Sequence, residues 1–196
     1  MKAMHLMGQA PYYTNSYLIC SEAGNAIVFD PAASLDHYQQ ALEKLGAKLQ
    51  YIVLTHGHFD HTYTLDALKE ATGAKVLAGK EDLRGGGIFP VSEADGCLED
   101  GGVIQLDELE IHCWHTPGHS PGSFCFLVES LFITGDTLFA GSIGRTDLEA
   151  GSWPVLEESL KKLLTLPVPD TAQVLPGHND FSTFGREKVM NGFLQF

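Results

Sequence analysis

Thr55-His56-Gly57-His58-Phe59-Asp60-His61-Thr62 follows directly on the apolar run Tyr51 to Leu54, which reads as a buried strand from its length and its β-branched and aromatic content. Three imidazoles and a carboxylate lie within six residues, more than packing needs. A loop leaving the end of a strand can splay such side chains into one cavity. Neutral imidazole and carboxylate suit borderline cations such as zinc, iron or manganese. The competing reading is a histidine-rich surface loop, and it weakens with each further motif of the same kind.

Three such motifs lie downstream. Thr116-Pro117-Gly118-His119-Ser120-Pro121-Gly122 is a tight turn between two apolar runs. Thr134-Gly135-Asp136-Thr137-Leu138-Phe139 sets a carboxylate just past another, and Leu175-Pro176-Gly177-His178 ends in a histidine. Taken singly, His119 is more often an ordinary turn histidine and Asp136 could equally cap a turn. Together the four pieces supply five histidines and two aspartates, each at the end of an expected strand.

Length and composition predict one domain spanning residues 1–196, with 44% hydrophobic residues to fill its core. The formal net charge of −13 repels phosphate backbones and anionic lipid, so neither nucleic acid nor a membrane is an expected partner. No apolar run approaches the ~20 residues of a membrane span. Met1 to Ala10 lacks a signal peptide's apolar core and cleavage site, which favours the cytoplasm. Cys20, Cys97, Cys113 and Cys125 show no two-residue spacing, and apolar flanks at Cys20 and Cys125 read as reduced, inert core thiols.

Further strands are expected at Ser16 to Cys20, Ala26 to Phe29, Lys75 to Ala78, Val103 to Leu106, Leu109 to His115, Ser123 to Val128, Leu131 to Thr134 and Gln173 to Leu175. Ser34 is positioned to cap a helix carrying Leu35, Tyr38, Leu42 and Leu45 and ended by Gly46. A second helix is expected from Thr64 to Ala71. A third has Pro154 in its first turn, and a fourth follows Gly185. The two clusters of strands and helices fit two β-rich layers covered outside by helices.

The order and spacing of the four motifs resemble the metallo-β-lactamase superfamily over nearly the whole chain. The resemblance implies an α/β fold, an αββα sandwich with metals at one end of its sheets. It also implies that His56, His58 and His119 bind one divalent cation, that Asp60, His61 and His178 bind a second, and that Asp136 bridges them. Zinc is the expected metal, with iron or manganese as alternatives. Common zinc β-lactamases carry cysteine where Asp136 stands, flavo-diiron members carry glutamate at the place of His58, and RNA-processing members carry a large inserted domain.

The chain most resembles the glyoxalase II (hydroxyacylglutathione hydrolase) group. The shared features are Tyr17-Leu18-Ile19 after Asn15, the Thr-Pro-Gly-His turn, Gly-Asp-Thr-Leu-Phe, and the loop Gly141-Ser142-Ile143-Gly144-Arg145-Thr146-Asp147. Residues 179–196 leave no room for the helical C-terminal domain of the long enzymes, so the resemblance is to the short bacterial type. It implies hydrolysis of a small-molecule thioester such as S-lactoylglutathione by a metal-bridging hydroxide, with Asp60 accepting a hydrogen bond from it. Persulfide dioxygenases share the fold and the Gly-Arg-Thr-Asp loop. They imply an alternative: one iron held by His56, His119 and Asp136.

Arg145 is the candidate reader of a substrate carboxylate, or else the ion-pair partner of Asp147. Loop Gly85-Gly86-Gly87-Ile88-Phe89-Pro90 reads as a mobile flap or an ordinary surface turn. His5, His37, His112 and His115 read as non-ligands, and Trp114 and Trp153 as packing residues.

Overall fold

Every expected strand forms, and the way the strands join decides where the loops between them point. The computed structural model describes residues 1–196. The first sheet holds β1 (Lys2–Met7), β2 (Asn15–Cys20), β3 (Asn25–Phe29), β4 (Lys48–Val53), β5 (Lys75–Ala78) and β6 (Gly96–Cys97), in that order. β1 to β3 run antiparallel and β3 to β6 parallel. The second sheet holds β7 (Val103–Leu106), β8 (Leu109–His115), β9 (Phe124–Val128) and β10 (Leu131–Gly135). A small ribbon of β11 (Leu138–Phe139) and β12 (Ser142–Ile143) follows. β13 (Gln173–Pro176) and β14 (Ser182–Thr183) then complete the second sheet, whose order is β14-β13-β10-β9-β8-β7.

Side-chain alternation sorts the core into three apolar layers. In β2, Tyr17 and Ile19 face the second sheet while Leu18 and Cys20 face outward. In β3, Ile27 and Phe29 point inward while Ala26 and Val28 point outward. In β9, Phe124, Phe126 and Val128 meet the first sheet. Helices cover both outer faces. α1 (Leu35–Leu45) and α2 (Leu65–Thr72) pack on the first sheet through Tyr38, Ala41, Leu42, Leu65 and Leu68. α3 (Trp153–Leu163) and α4 (Phe184–Met190) pack on the second through Leu156, Leu160, Leu163 and Phe184. This is the expected αββα sandwich. Covering both faces explains why β2 and β9 are buried at every position.

The helix ends follow the chemistry of the sequence. Ser34 accepts a hydrogen bond from the His37 amide, and Gly46 closes α1 in the left-handed conformation at φ 62°. α2 starts at Leu65, one residue after the expected Thr64, and Gly73 ends it at φ 70°. α4 begins at Phe184 rather than after Gly185. β4 begins at Lys48, three residues before the apolar run that announced it. The sequence reading missed β1, an edge strand with no fully buried residue. It also missed the two-residue strands β6, β11, β12 and β14.

Three of the cysteines are buried and free, and burial pushes the thiols of Cys113 up to about 12 and Cys125 up to about 11, so both are inert. Cys97 departs from the core reading: it is exposed, because short β6 lies at the sheet edge. Trp114 is buried, whereas Trp153, at the start of α3, is 42% exposed and sits edge-on to Phe193. No helix is long and apolar enough to cross a membrane.

Candidate metal centre

The loop after β4 is pinned from both sides. The carboxylate of Asp30, at the end of β3, accepts from the Thr55 amide and from the Thr55 hydroxyl, both at 2.7 Å. Asp82, 2% exposed, accepts from the amide of Gly57 at 2.8 Å, from the amide of Gly122 at 2.7 Å and from the Ser120 hydroxyl at 2.6 Å. One buried carboxylate thus ties the His56–His61 loop to the His119 turn. The His178 loop is held by the start of β2. There Asn15 donates to the carbonyls of Pro176 and Asn179 at 3.0 Å each, and the Tyr17 hydroxyl donates to Pro176 at 2.6 Å.

These anchors bring all seven expected residues together. His58 Nδ1 lies 3.0 Å from both His56 Nε2 and His119 Nε2. His61 Nε2 lies 3.3 Å from His178 Nε2, 3.6 Å from Asp60 Oδ2 and 3.4 Å from Asp136 Oδ1. Asp136 Oδ2 lies 3.4 Å from His119 Nε2 and 3.6 Å from His178 Nε2, so its two oxygens reach both sides of the cluster. Ligand atoms about 2.0–2.1 Å from a tetrahedral cation stand roughly 3.3 Å apart. His56, His58 and His119 form one such group, and Asp60, His61 and His178 another. His5, His37, His112 and His115 belong to none of these groups.

The outward-facing nitrogens settle which atoms point in. His119 Nδ1 meets the Arg145 carbonyl at 2.7 Å, and His178 Nδ1 meets the Tyr12 carbonyl at 3.2 Å. His61 Nδ1 meets Asp30 Oδ2 at 2.8 Å. His56 Nδ1 lies 3.1 Å from the Thr55 hydroxyl, whose own proton goes to Asp30. Each partner can only accept there, so each Nδ1 carries a proton and each Nε2 faces inward, where it offers a lone pair once the ring is neutral. Four such nitrogens and two carboxylates then face one another, and Asp136 Oδ1 and His58 Nε2 are buried without a hydrogen-bond partner. Imidazole nitrogens and carboxylates converging at this spacing, with an orphaned carboxylate oxygen among them, fit divalent cations.

Burial, reinforced by the other imidazoles, holds His56 well below its ordinary range and His58 at about 4, so both are neutral at pH 7. Burial acts the same way on His61, but Asp136, Asp30 and Asp60 outweigh it and push His61 up to about 9. The negative field that favours a proton there favours a cation equally. Burial would raise Asp60, but hydrogen bonding to His178 and the nearby imidazoles hold its carboxyl far below the usual carboxylate range.

The cluster floors a cavity of about 580 Å³ walled by Tyr12, Phe59, Ile88, Phe139, Ile143 and Leu148. Arg145 reaches this cavity, with its guanidinium in a two-pronged pair with Asp147 at 2.7 Å for each bond. The Gly85–Pro90 loop is anchored rather than free: Phe89 is fully buried against the His58 ring, and the Ile88 carbonyl accepts from the Phe59 amide at 3.0 Å. Sequence reasoning missed Asp30 and Asp82. Asp30 had a usable signal, a carboxylate just past an apolar strand, as at Asp136. Asp82 had none, since Lys80-Glu81-Asp82 reads as a solvated charge run.

The family model of the Metallo-beta-lactamase superfamily matches residues 10–178. Hydroxyacylglutathione hydrolase GloC of Haemophilus influenzae is 32% identical over 199 residues, which cover 93% of this chain and 93% of that protein. The crystal structure of BLEG-1 B3 metallo-beta-lactamase superposes with a TM-score of 0.87 at 28% identity, covering 100% of both chains. That of ETHE1 from Myxococcus xanthus superposes at 0.85 with 29% identity, covering 98% of this chain and 84% of that one.

Proposed function

The chain belongs to the metallo-beta-lactamase superfamily, and from that premise we propose that it is a metal-dependent hydrolase of small-molecule thioesters, S-lactoylglutathione being one that it cleaves. The observation that carries this reading is the ring of inward-facing acceptors at the floor of an open cavity. His56, His58 and His119 would hold one cation and Asp60, His61 and His178 the other, with Asp136 shared. Two divalent cations, zinc first and iron or manganese as alternatives, would supply a nucleophile from water near neutral pH and a polarised carbonyl.

The chain's own groups do the rest. Asp30 and the carbonyls of Arg145 and Tyr12 fix the orientation of three ligand rings. Asp60 is ionised. Its Oδ2 takes the Thr14 hydroxyl at 3.0 Å, and its remaining lone pairs can accept a hydrogen bond from the attacking water. A thiolate leaves readily because thiols ionise near pH ~8.5, so no strong acid beside the leaving group is required. Arg145 is the cation a substrate carboxylate would meet, in competition with Asp147. The likeness to GloC supports a glutathione thioester, and the acidic balance argues against nucleic acid.

A second reading is a mononuclear non-haem iron persulfide dioxygenase using His56, His119 and Asp136. It rests on the Gly144 to Asp147 loop and on the likeness to ETHE1. Metal analysis of the purified protein, run beside S-lactoylglutathione hydrolysis, tests both. About two metals per chain with chelator-sensitive hydrolysis is the expected result. About one iron, negligible hydrolysis and oxygen uptake on glutathione persulfide would overturn the hydrolase.

A further inference from the structure

Beside the metal centre lies a second hollow, about 260 Å³ in volume, formed by the Gly8–Thr14 segment, Ala32 and Tyr63. It shares Tyr12, Phe59 and Asp60 with the larger cavity, so the two hollows adjoin along a common rim. The divide between the two is aromatic: Tyr12 and Phe59 meet edge to face with centroids 5.1 Å apart. These rings are open to solvent, Tyr12 at 51% and Tyr63 at 71% exposure, although each offers a large apolar face. A group lodged against them would remove that apolar surface from water.

The charges point the same way. No lysine or arginine lines the smaller hollow, and the larger cavity has Arg145 alone, already paired with Asp147. A carboxylate lodged in the smaller hollow would therefore meet the Asp60 carboxylate and no side-chain cation. An uncharged apolar group meets no such repulsion. A dry cavity of about 150 Å³ holds benzene, so this hollow accommodates a ring with a short linker.

Resting on the thioesterase reading above, we infer that Tyr12, Phe59 and Tyr63 form a specificity subsite for an uncharged aromatic or branched apolar group on the substrate. The preferred thioesters carry such a group instead of the carboxylates of a glutathione tail. Glutathione thioesters are turned over through their reacting carbonyl but gain little from their charged ends.

The test compares two lactoyl thioesters, one of phenylethanethiol and one of glutathione, on the metal-loaded protein. Binding of a non-hydrolysable phenylethyl thioether is measured alongside by calorimetry. The expected result is a kcat/KM at least tenfold higher for the phenylethyl thioester. Tyr12→Ala and Tyr63→Ala should each cut that preference several-fold and weaken thioether binding. Both side chains are exposed, and the Tyr12 carbonyl that holds His178 is retained, so truncation spares the core and the ligand ring. Asp147→Asn, which frees Arg145, should shift selectivity toward the glutathione thioester. Equal or reversed preference in the parent protein, or a preference unchanged in both tyrosine variants, would overturn the subsite. Hydrolysis of neither thioester would overturn the thioesterase reading instead. Thioether binding that depends on Tyr12 and Tyr63 would in that case still support the subsite, and its absence would sink that too.

Discussion

Asp82 satisfies two backbone amides and a hydroxyl from two separate loops with a single carboxylate. Removing it by Asp82→Ala leaves those donors buried, at about 1–3 kcal/mol for each unsatisfied group. A loss of roughly 3 kcal/mol or more should appear as a lower denaturant midpoint, with metal affinity down about 10–100-fold. An unchanged midpoint would refute the pinning role. His61 yields a second prediction. Its pKa is raised to about 9, so it holds its proton below that pH and loses it above. A cation needs the same nitrogen bare. Metal added to chelator-stripped protein near pH ~7.5 should therefore expel the His61 proton. His178, also raised, adds to the release, while His58 at about 4 is already neutral. The release should fade as pH climbs past about 9, and an indicator-dye titration in weak buffer reads it directly. A release that grows toward alkaline pH would contradict the assignment. At this scale the sequence exposed the seven inward-facing residues because each stands in a local motif. It concealed Asp82, whose partners lie 25 to 40 residues away and whose flanks are charged.

Strand ends do the positioning at the next scale up. β4, β10 and β13 all deliver a loop to the same edge of the sandwich, and Gly177 lets the last of them come close. A Cβ there would collide with Asp136 Oδ1 and stand 2.6 Å from His61 Cε1. Gly177→Ala should keep the fold, as judged by circular dichroism, while losing most bound metal and at least about 100-fold in turnover. Gly192 has open space around it, so Gly192→Ala serves as the control and should match the parent. Normal metal content in Gly177→Ala would refute the close-approach argument. The elements most legible in the sequence were those with strong periodicity or caps. Ser34 and Gly46 mark both ends of α1, and β5, β7 and β8 match their expected spans. β1 escaped because its residues are half-exposed and it is a strand only through pairing with β2, a long-range fact that no local window contains.

Across the whole molecule, the proposed ligand residues divide between the sheets. His56, His58, Asp60 and His61 follow β4 of the first sheet, whereas His119, Asp136 and His178 leave strands of the second. Each proposed cation therefore draws ligands from both sheets and acts as a cross-link between them. The two-layer arrangement was legible from the clustering of strands and helices, but this stitching was not, because it depends on which sheet each strand joins. A cation that binds only the folded chain adds about 4 kcal/mol when its free concentration is about 1,000 times its Kd. For a chain of this length each kcal/mol is worth about 2–4 °C in Tm. Stripping one such cation should thus lower Tm by roughly 8–16 °C and stripping both by about twice that, and readdition should restore it. The loss should be localised as well as large. Amide exchange should quicken in the loops of residues 55–62, 116–122 and 177–179 more than in β2 or β9, whose amides lie in doubly covered sheet. A Tm indifferent to chelator, or exchange that rises evenly along the chain, would mean that the packed apolar layers hold the sheets together without help from the metal centre.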